Sequence, residues 1–251
     1  MKTRGKTGAI AIIPVRVDSQ RLPGKALLAE SGKPLFLHTC DQALLAECFD
    51  EVLVATDDER VVEAAGSAGI KPIMTSDRPR TGSERCAEVA TELDAGVVVN
   101  IQGDWPEVDP RDLRALVDIM RAQEPEIGCA TLAAPLTDPR RIEDPNVVKI
   151  VRGHDAGALY FSRLPVPYDR ADIDNRSLLR HIGVYAFSRS ALLSIPDLPS
   201  SGLDEREGLE QLKFLENRIP IKVLDAAGDP WGIEVRADYD AFLQRNAQRT
   251  S

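Results

Sequence analysis

Arg16, Ser19, Arg21, Gly24 and Lys25 fall within ten residues, directly after the apolar run AIIPV. Three cations that close together repel one another by roughly 1 kcal/mol or more per close pair unless an anion sits between them. A basic, glycine-containing loop at a strand exit, with a helical pattern behind it, surrounds a polyanion with backbone N–H groups and fixed positive charge. A nucleoside triphosphate is the natural guest, and the alternative is that Arg16, Arg21 and Lys25 are ordinary surface charges. The loop is not a G-x-x-x-x-G-K-[ST] phosphate loop and has too few glycines for a dinucleotide fingerprint, so ATPase and dehydrogenase chemistry lose their usual support.

Asp104 follows Gln102-Gly103 at the end of a second apolar run, VVVNI. A carboxylate there either caps the next helix or binds a hard cation. It lies six residues before the helical run that opens at Pro110, which makes capping awkward and favours Mg²⁺. Magnesium takes one or two protein carboxylates and fills its other positions with phosphate oxygens and water. Glu234 in GIEV, after Trp231-Gly232, is the best-placed second acid. A polar set in the second half, Arg163, Arg180, His181, Tyr185, Glu210 and Gln211, suits either a binding site or a solvated, structural role. His181 opens the strand-like IGVYAF and fits an ordinary buried, hydrogen-bonded histidine as well as a ligand contact.

The elements that would position these residues follow from periodicity. Apolar runs at 9–14, 51–55, 97–101 and 128–134 alternate with amphipathic stretches near 34–47, 58–68, 84–93 and 110–122. This is the βαβα pattern of a doubly wound, mostly parallel α/β sheet covered on both faces. Ligands of such sheets bind beyond the carboxyl ends of the strands. Three polar strand ends, the basic loop, Thr56-Asp57-Asp58 and Gln102-Gly103-Asp104, should therefore share one rim. Beyond residue 135 the pattern changes to extended stretches at 146–151 and 157–162, the turn LPVPYDR, a strand at 181–187, a helix at 205–217, a strand at 220–225 and a closing helix near 236–247. The reading is one domain over 1–251: residues 1–135 as the nucleotide-binding part, 136–225 as an inserted lobe, and 226–251 returning to the main sheet.

Composition sets the limits. The chain has 251 residues, 43% hydrophobic, with 31 Lys and Arg against 40 Asp and Glu, a formal charge of −9. That field repels nucleic acid, so the basic loop is a local exception. No apolar stretch approaches the roughly 20 residues needed to cross a bilayer, and the N-terminal apolar run reads as a first strand rather than a leader. A cytoplasmic setting is expected. Cys40, Cys48, Cys86 and Cys129 form no C-x-x-C pair and read as reduced core thiols.

Taken in order, IIPVRVDSQRLPGKAL, GKPLFLHT, VLVATDDERV, MTS, TGSERCAEV, VVVNIQGDWP, DPNVVKIV, ALYFSR, LLRHIGVYAF and LEQLKFLENRIPIKV resemble segments of the CMP-Kdo synthetase family, the 3-deoxy-manno-octulosonate cytidylyltransferases. The likeness spans nearly the whole chain. It implies a Rossmann-like nucleotidyltransferase that transfers CMP from CTP to the anomeric hydroxyl of a 3-deoxy-2-ulosonic acid, Kdo in particular, and releases pyrophosphate for lipopolysaccharide biosynthesis. It further implies that Arg16, Ser19, Arg21 and Lys25 hold the triphosphate, with Arg21 near the reacting groups, and that Thr81, Gly82, Ser83 and Arg85 fix cytosine and ribose. Asp104, with Glu234, would bind Mg²⁺. Gln102, Arg163, His181, Tyr185, Glu210 and Gln211 would line the sugar-acid pocket. A homodimer is implied, with ALYFSRLPVPYDR at or near the contact, although Phe161, Leu164, Val166 and Tyr168 could equally be buried within one subunit.

Three positions depart from the family pattern. Glu234 stands where the family has Asp in GVDTPED, Trp105 follows the aspartate where QGDEP is usual, and Pro79 stands where a histidine is common. They keep two rivals in play: a cytidylyltransferase for another sugar acid or a phosphonate, and a catalytically silent nucleotide-binding homologue.

Overall fold

The computed structural model describes residues 8–122, 127–168, 170 and 178–250, so Met1–Thr7 and part of the LPVPYDR turn lie outside the described residues. Strand β1 (Ala9–Val15) is buried along its whole length, as an unbroken apolar run in the middle of a parallel sheet should be. Its alternate side chains divide between two cores, Ala11 and Ile13 on one face, Ile10 and Ile12 on the other.

The chain continues through helix α1 (Leu35–Leu45), β2 (Glu51–Thr56), α2 (Glu59–Ser67), β3 (Lys71–Met74), α3 (Gly82–Ala90), β4 (Val97–Ile101) and α4 (Pro110–Arg121). Strands β2 and β4 flank β1, both parallel to it, and β3 pairs with β2. Chain order therefore reverses between β1 and β4, which opens a crevice at their carboxyl ends. The helices start where the sequence provides caps. Asp58, Thr81 and Asp109 accept hydrogen bonds from Arg60 N, Glu84 N and Arg111 N, and Pro110 opens α4. Asp109 is thus the cap of α4, and Asp104 is free of that duty.

The second half contributes β5 (Cys129–Leu136), α5 (Pro139–Ile142), β6 (Lys149–Arg152), β7 (Ala158–Ser162), β8 (Leu178–Ser188), α6 (Arg189–Ser194), α7 (Leu203–Glu207), α8 (Gln211–Glu216), β9 (Ile221–Asp225) and α9 (Arg236–Thr250). The main sheet runs β3-β2-β1-β4-β8-β5-β9, with β8 antiparallel to both β4 and β5. The chain thus re-enters the main sheet at β8, well before residue 226, and only β6 and β7 stand off that path. The helix expected over 205–217 is two helices. Gly208 ends the first in the left-handed region, φ 62°, a conformation that glycine adopts without steric cost. Short β3, α5 and α6 carried too little periodicity to be anticipated.

Candidate active site

The basic loop leaves β1 at Val15 and turns at Gly24, φ 66°, into a 3₁₀ turn over Lys25–Leu27. That turn aims Lys25 across the crevice. Its Nζ donates to Asp104 Oδ2 and to the carbonyl of Ile233, both at 2.6 Å, and lies 3.6 Å from Glu234 Oε2. Arg21 completes the cluster, donating to Glu234 Oε2 at 2.7 Å and to Asn146 Oδ1 at 2.6 Å. Two carboxylates from distant parts of the chain thus share two cations from the loop. Glu234 is held there because its own N–H and that of Val235 donate to Asp238 in the first turn of α9. Ile233 N also donates to Asp104 O at 2.9 Å, which stitches the two acidic segments together.

The electrostatics follow from this crowding. Burial pulls the Lys25 ammonium down, but Asp104 and Glu234 outweigh it and hold the group above its ordinary value. Burial pushes the Glu234 carboxyl up; Lys25 opposes the shift and the like charge of Asp104 adds to it. Asp104 and Glu234 are hard oxygen donors to which a divalent cation would be a better neutraliser than one ammonium. Among the described residues no group of three or more His, Cys, Asp or Glu is arranged to hold a metal. A carboxylate pair with room for phosphate oxygens is the donor set that Mg²⁺ takes, so the residues present fit that ion.

A cavity of about 700 Å³ opens beside this cluster, lined in part by Arg21, Thr81, Gly82, Gln102, Asp104, Arg163, His181, Tyr185, Glu210, Gln211 and Glu234. The sequence-derived set is therefore largely brought together. Arg16, Ser19 and Lys25 lie outside this lining, in the loop itself: Arg16 donates to the Arg80 carbonyl at 2.9 Å, and Ser19 Oγ accepts from Leu22 N at 3.4 Å. Gly82 lies so close to Gln102 and Pro14 that a Cβ would come within 2.9 Å of Gln102 Nε2.

Two expected nucleotide contacts turn inward instead. Arg85 is fully buried, donating to Thr75 Oγ1 and, at 2.8 Å, to Asp57 Oδ2, so it ties α3 to the ends of β2 and β3. It points inward because position 85 falls on the apolar face of α3, beside Cys86 and Val89. Ser83 is also buried, accepting from Asn100 Nδ2 at 3.1 Å and donating to Glu210 Oε1 at 2.6 Å. Neither side chain lines the cavity.

Glu210 reaches Ser83 because the break at Gly208 frees its segment from a continuous helix. Its second oxygen, Oε2, is buried without a partner among the described residues. Burial raises its carboxyl, against the pull of Ser83 and Thr81. His181 lies beside Phe161 and Tyr185, with Nε2 3.0 Å from Thr131 Oγ1. Burial, then Arg180, push it down to about 3, so it is neutral near pH 7. Arg163 donates to the carbonyls of Glu207, Pro145 and Gly208, so most of its fork ties chain segments together.

Trp105 packs into a slot of two glycines. A Cβ at Gly183 would stand 3.1 Å from its Nε1, and one at Gly232 3.2 Å from its Cε2. Pro79 lines a separate, smaller cavity with Arg78 and Glu84. Sequence reasoning gave no site role to Arg141, Asn146 or Trp231, which line the main cavity, although Asn146 lies in DPNVVKIV and Trp231 just precedes GIEV.

Comparison with known proteins places this geometry. Residues 10–221 match the cytidylyltransferase family. The 3-deoxy-manno-octulosonate cytidylyltransferase of Chlorobium limicola is 42% identical, covering 96% of this chain and 99% of that protein, and the protein of the same name from Solibacter usitatus is 40% identical, covering 92% and 91%. A solved structure of CMP:2-keto-3-deoxy-manno-octonic acid synthetase complexed with CTP superposes with a TM-score of 0.89 at 37% identity, over 96% of this chain and 99% of that one. HddC from Yersinia pseudotuberculosis, 14% identical with a TM-score of 0.66, shares the fold alone. The chain belongs to the cytidylyltransferase family, in the group of the 3-deoxy-manno-octulosonate cytidylyltransferases.

Proposed function

We propose that this protein transfers CMP from CTP to the anomeric hydroxyl of 3-deoxy-D-manno-octulosonate (Kdo), forming CMP-Kdo and pyrophosphate. One observation carries the reading: Asp104 and Glu234 converge on Lys25 and Arg21 at the edge of a cavity that also gathers Gln102, His181, Tyr185, Glu210 and Gln211. The names of the relatives support the substrate pair.

In this reading the protein works by positioning and charge neutralisation, since phosphoryl-type transfer leaves little covalent work to a side chain. Arg16, Ser19 and Lys25 bind the triphosphate, and Arg21 sits nearest the reacting groups. Thr81 and Gly82 meet the nucleoside, while Arg85 and Ser83 act indirectly by fixing α3. Asp104 and Glu234 would hold Mg²⁺, which supplies polarisation of the α-phosphate and neutralises charge. The acceptor brings its own carboxylate to a triphosphate, and Arg21 and Lys25 offset the resulting repulsion. Glu210 Oε2, buried and without a hydrogen-bond partner among the described residues, suits a hydroxyl donor of the sugar.

Pyrophosphate release with CTP, Mg²⁺ and Kdo tests this, beside wells that lack the sugar or carry UTP, ATP or GTP. Release that needs both CTP and Kdo is the expected result. Binding of CTP with no release from any acceptor would instead identify a silent homologue. A second reading, cytidylyl transfer to a different sugar acid or a phosphonate, is favoured by Trp105, whose indole fills part of the cavity wall where the family resemblance has glutamate. A clear preference for another acid in an acceptor panel would establish it.

The proposed setting is the cytoplasm, with CMP-Kdo destined for lipopolysaccharide biosynthesis. It is consistent with Cys40, Cys48, Cys86 and Cys129 all being free thiols, and no helix among the described residues is long and apolar enough to cross a membrane. A homodimer through the 158–168 region is also proposed. Phe161 is buried within the subunit, but Leu159, Leu164 and Tyr168 are 63%, 70% and 86% exposed, an apolar surface that a second copy would cover. Sedimentation showing a monomer at every concentration would refute the dimer.

A further inference from the structure

Arg141 from α5 and Arg180 from β8 both stack on Trp231, with guanidinium carbons 4.7 and 4.2 Å from the ring centroid. All three residues line the main cavity. Among the described residues Arg141 has no hydrogen-bonded side-chain partner. Its nearest described carboxylates, Asp144 and Asp238, stand 4.0 and 3.9 Å away, beyond hydrogen-bond reach. Arg180 is 1% exposed and donates to Asp229, yet its Nε is buried with no partner among the described residues. Asp229 also accepts from Trp231 Nε1 at 3.3 Å, so it clamps ring and guanidinium together. Burial lowers Arg180, Asp229 opposes that, and the like charge of Arg141 lowers it further. Two cations on one indole, with donors to spare and a cavity in front, make an arrangement that an anion would complete.

The position suits a particular anion. Arg141 neighbours Asp144, Asp144 accepts from Asn146 Nδ2 at 3.0 Å, and Asn146 accepts from Arg21. These neighbours link Arg141 to the carboxylate cluster, and Arg141 and Arg180 line the same cavity as Asp104 and Glu234. Arg163, whose donors are mostly taken by backbone carbonyls, competes poorly for the same role.

We propose that Arg141 and Arg180 receive the anionic group of the acceptor, a carboxylate or comparable oxyanion, and that Trp231 is the positioning residue that presents both guanidiniums. The proposal rests on the cytidylyltransferase reading and adds to it the residues that recognise the acid.

Steady-state pyrophosphate release is measured for wild type, Arg141→Gln, Trp231→Leu and Trp231→Phe, with Kdo, its neutral C1 amide and phosphonoacetate as acceptors. A charge-assisted hydrogen bond is worth roughly ten- to hundredfold in affinity. Arg141→Gln should therefore raise the KM for Kdo about tenfold or more, leave the KM for CTP in place, and collapse the preference for Kdo over its amide. Trp231→Leu should behave alike, and Trp231→Phe, which keeps an aromatic face, should recover most of the loss. An unchanged KM for Kdo in Arg141→Gln, or an equal rise in the KM for CTP, overturns the proposal while the function stands. Wild-type release with phosphonoacetate and none with Kdo overturns the choice of Kdo, and the same variants then test the receptor on phosphonoacetate. If wild type releases pyrophosphate with none of them, calorimetric titration of the three compounds in the presence of CTP decides: absence of binding overturns both.

Discussion

The two sides of the crevice are built differently. On one side Lys25, Arg21 and Asp104 sit at the exits of β1 and β4, parallel neighbours whose register fixes where their ends fall. On the other, the far wall draws Arg141, Arg163, Arg180, Glu210 and Trp231 from five separate segments, joined by contacts between residues tens of positions apart in the chain. Charge at a strand end is placed by the sheet itself, whereas charge on the far wall is placed by its partners. Changes on the first side should therefore act on nucleotide binding and chemistry, and changes on the second should act on acceptor binding and stability together.

The sharpest break is Asp104→Asn, which under the proposed metal role should lower turnover by roughly 10³-fold or more, a loss of several kcal/mol of transition-state stabilisation. Its thermal midpoint should stay near wild type, and near-normal turnover would sink the metal assignment. Next is Asp57→Asn, which leaves the fully buried Arg85 without its carboxylate. Stability should fall by about 3 kcal/mol in urea, with the folded protein still active; loss of CTP binding at unchanged stability would return Arg85 to the nucleotide. Gly183→Ala drives a methyl against Trp105 and should cost about 1–3 kcal/mol. Pairing it with Trp105→Leu should recover most of that.

The smallest effect concerns pH. His181 is held near 3 in the folded protein against about 6.5 when unfolded, so between those values the unfolded chain binds one proton more. Stability on this account is full above pH 6.5 and declines as pH falls towards 3. His181→Gln should flatten that part of the urea-midpoint profile, and an unchanged slope would place the proton uptake elsewhere.

The same contrast explains what could be read in advance. Hydrophobic runs revealed β1, β2, β4 and the helices between them, and the strand-end rule brought Asp104 and the basic loop to one rim. Glu234 was reachable as a hard acid after a short apolar run. The burial of Arg85 was not legible, because its expected nucleotide role came from the family likeness, whereas its place on α3 turns it into the core. The split at Gly208 was visible only as a glycine. Arg141 and Trp231 gave no signal, because a cation over an indole is defined by packing between distant segments and leaves no spacing to read.

The slot around Trp105 bears on how this protein can change over time. With the indole in place, a side chain at Gly183 or Gly232 would press on it at 3.1 or 3.2 Å, so the ring must give way for either glycine to change. Once the indole is replaced by something smaller, that pressure lifts from both glycines, and a side chain gained at either then weighs against the tryptophan's return. Substitution at 105 thus acts as a ratchet: leaving this wall takes one step, and returning takes one more for each glycine that has changed.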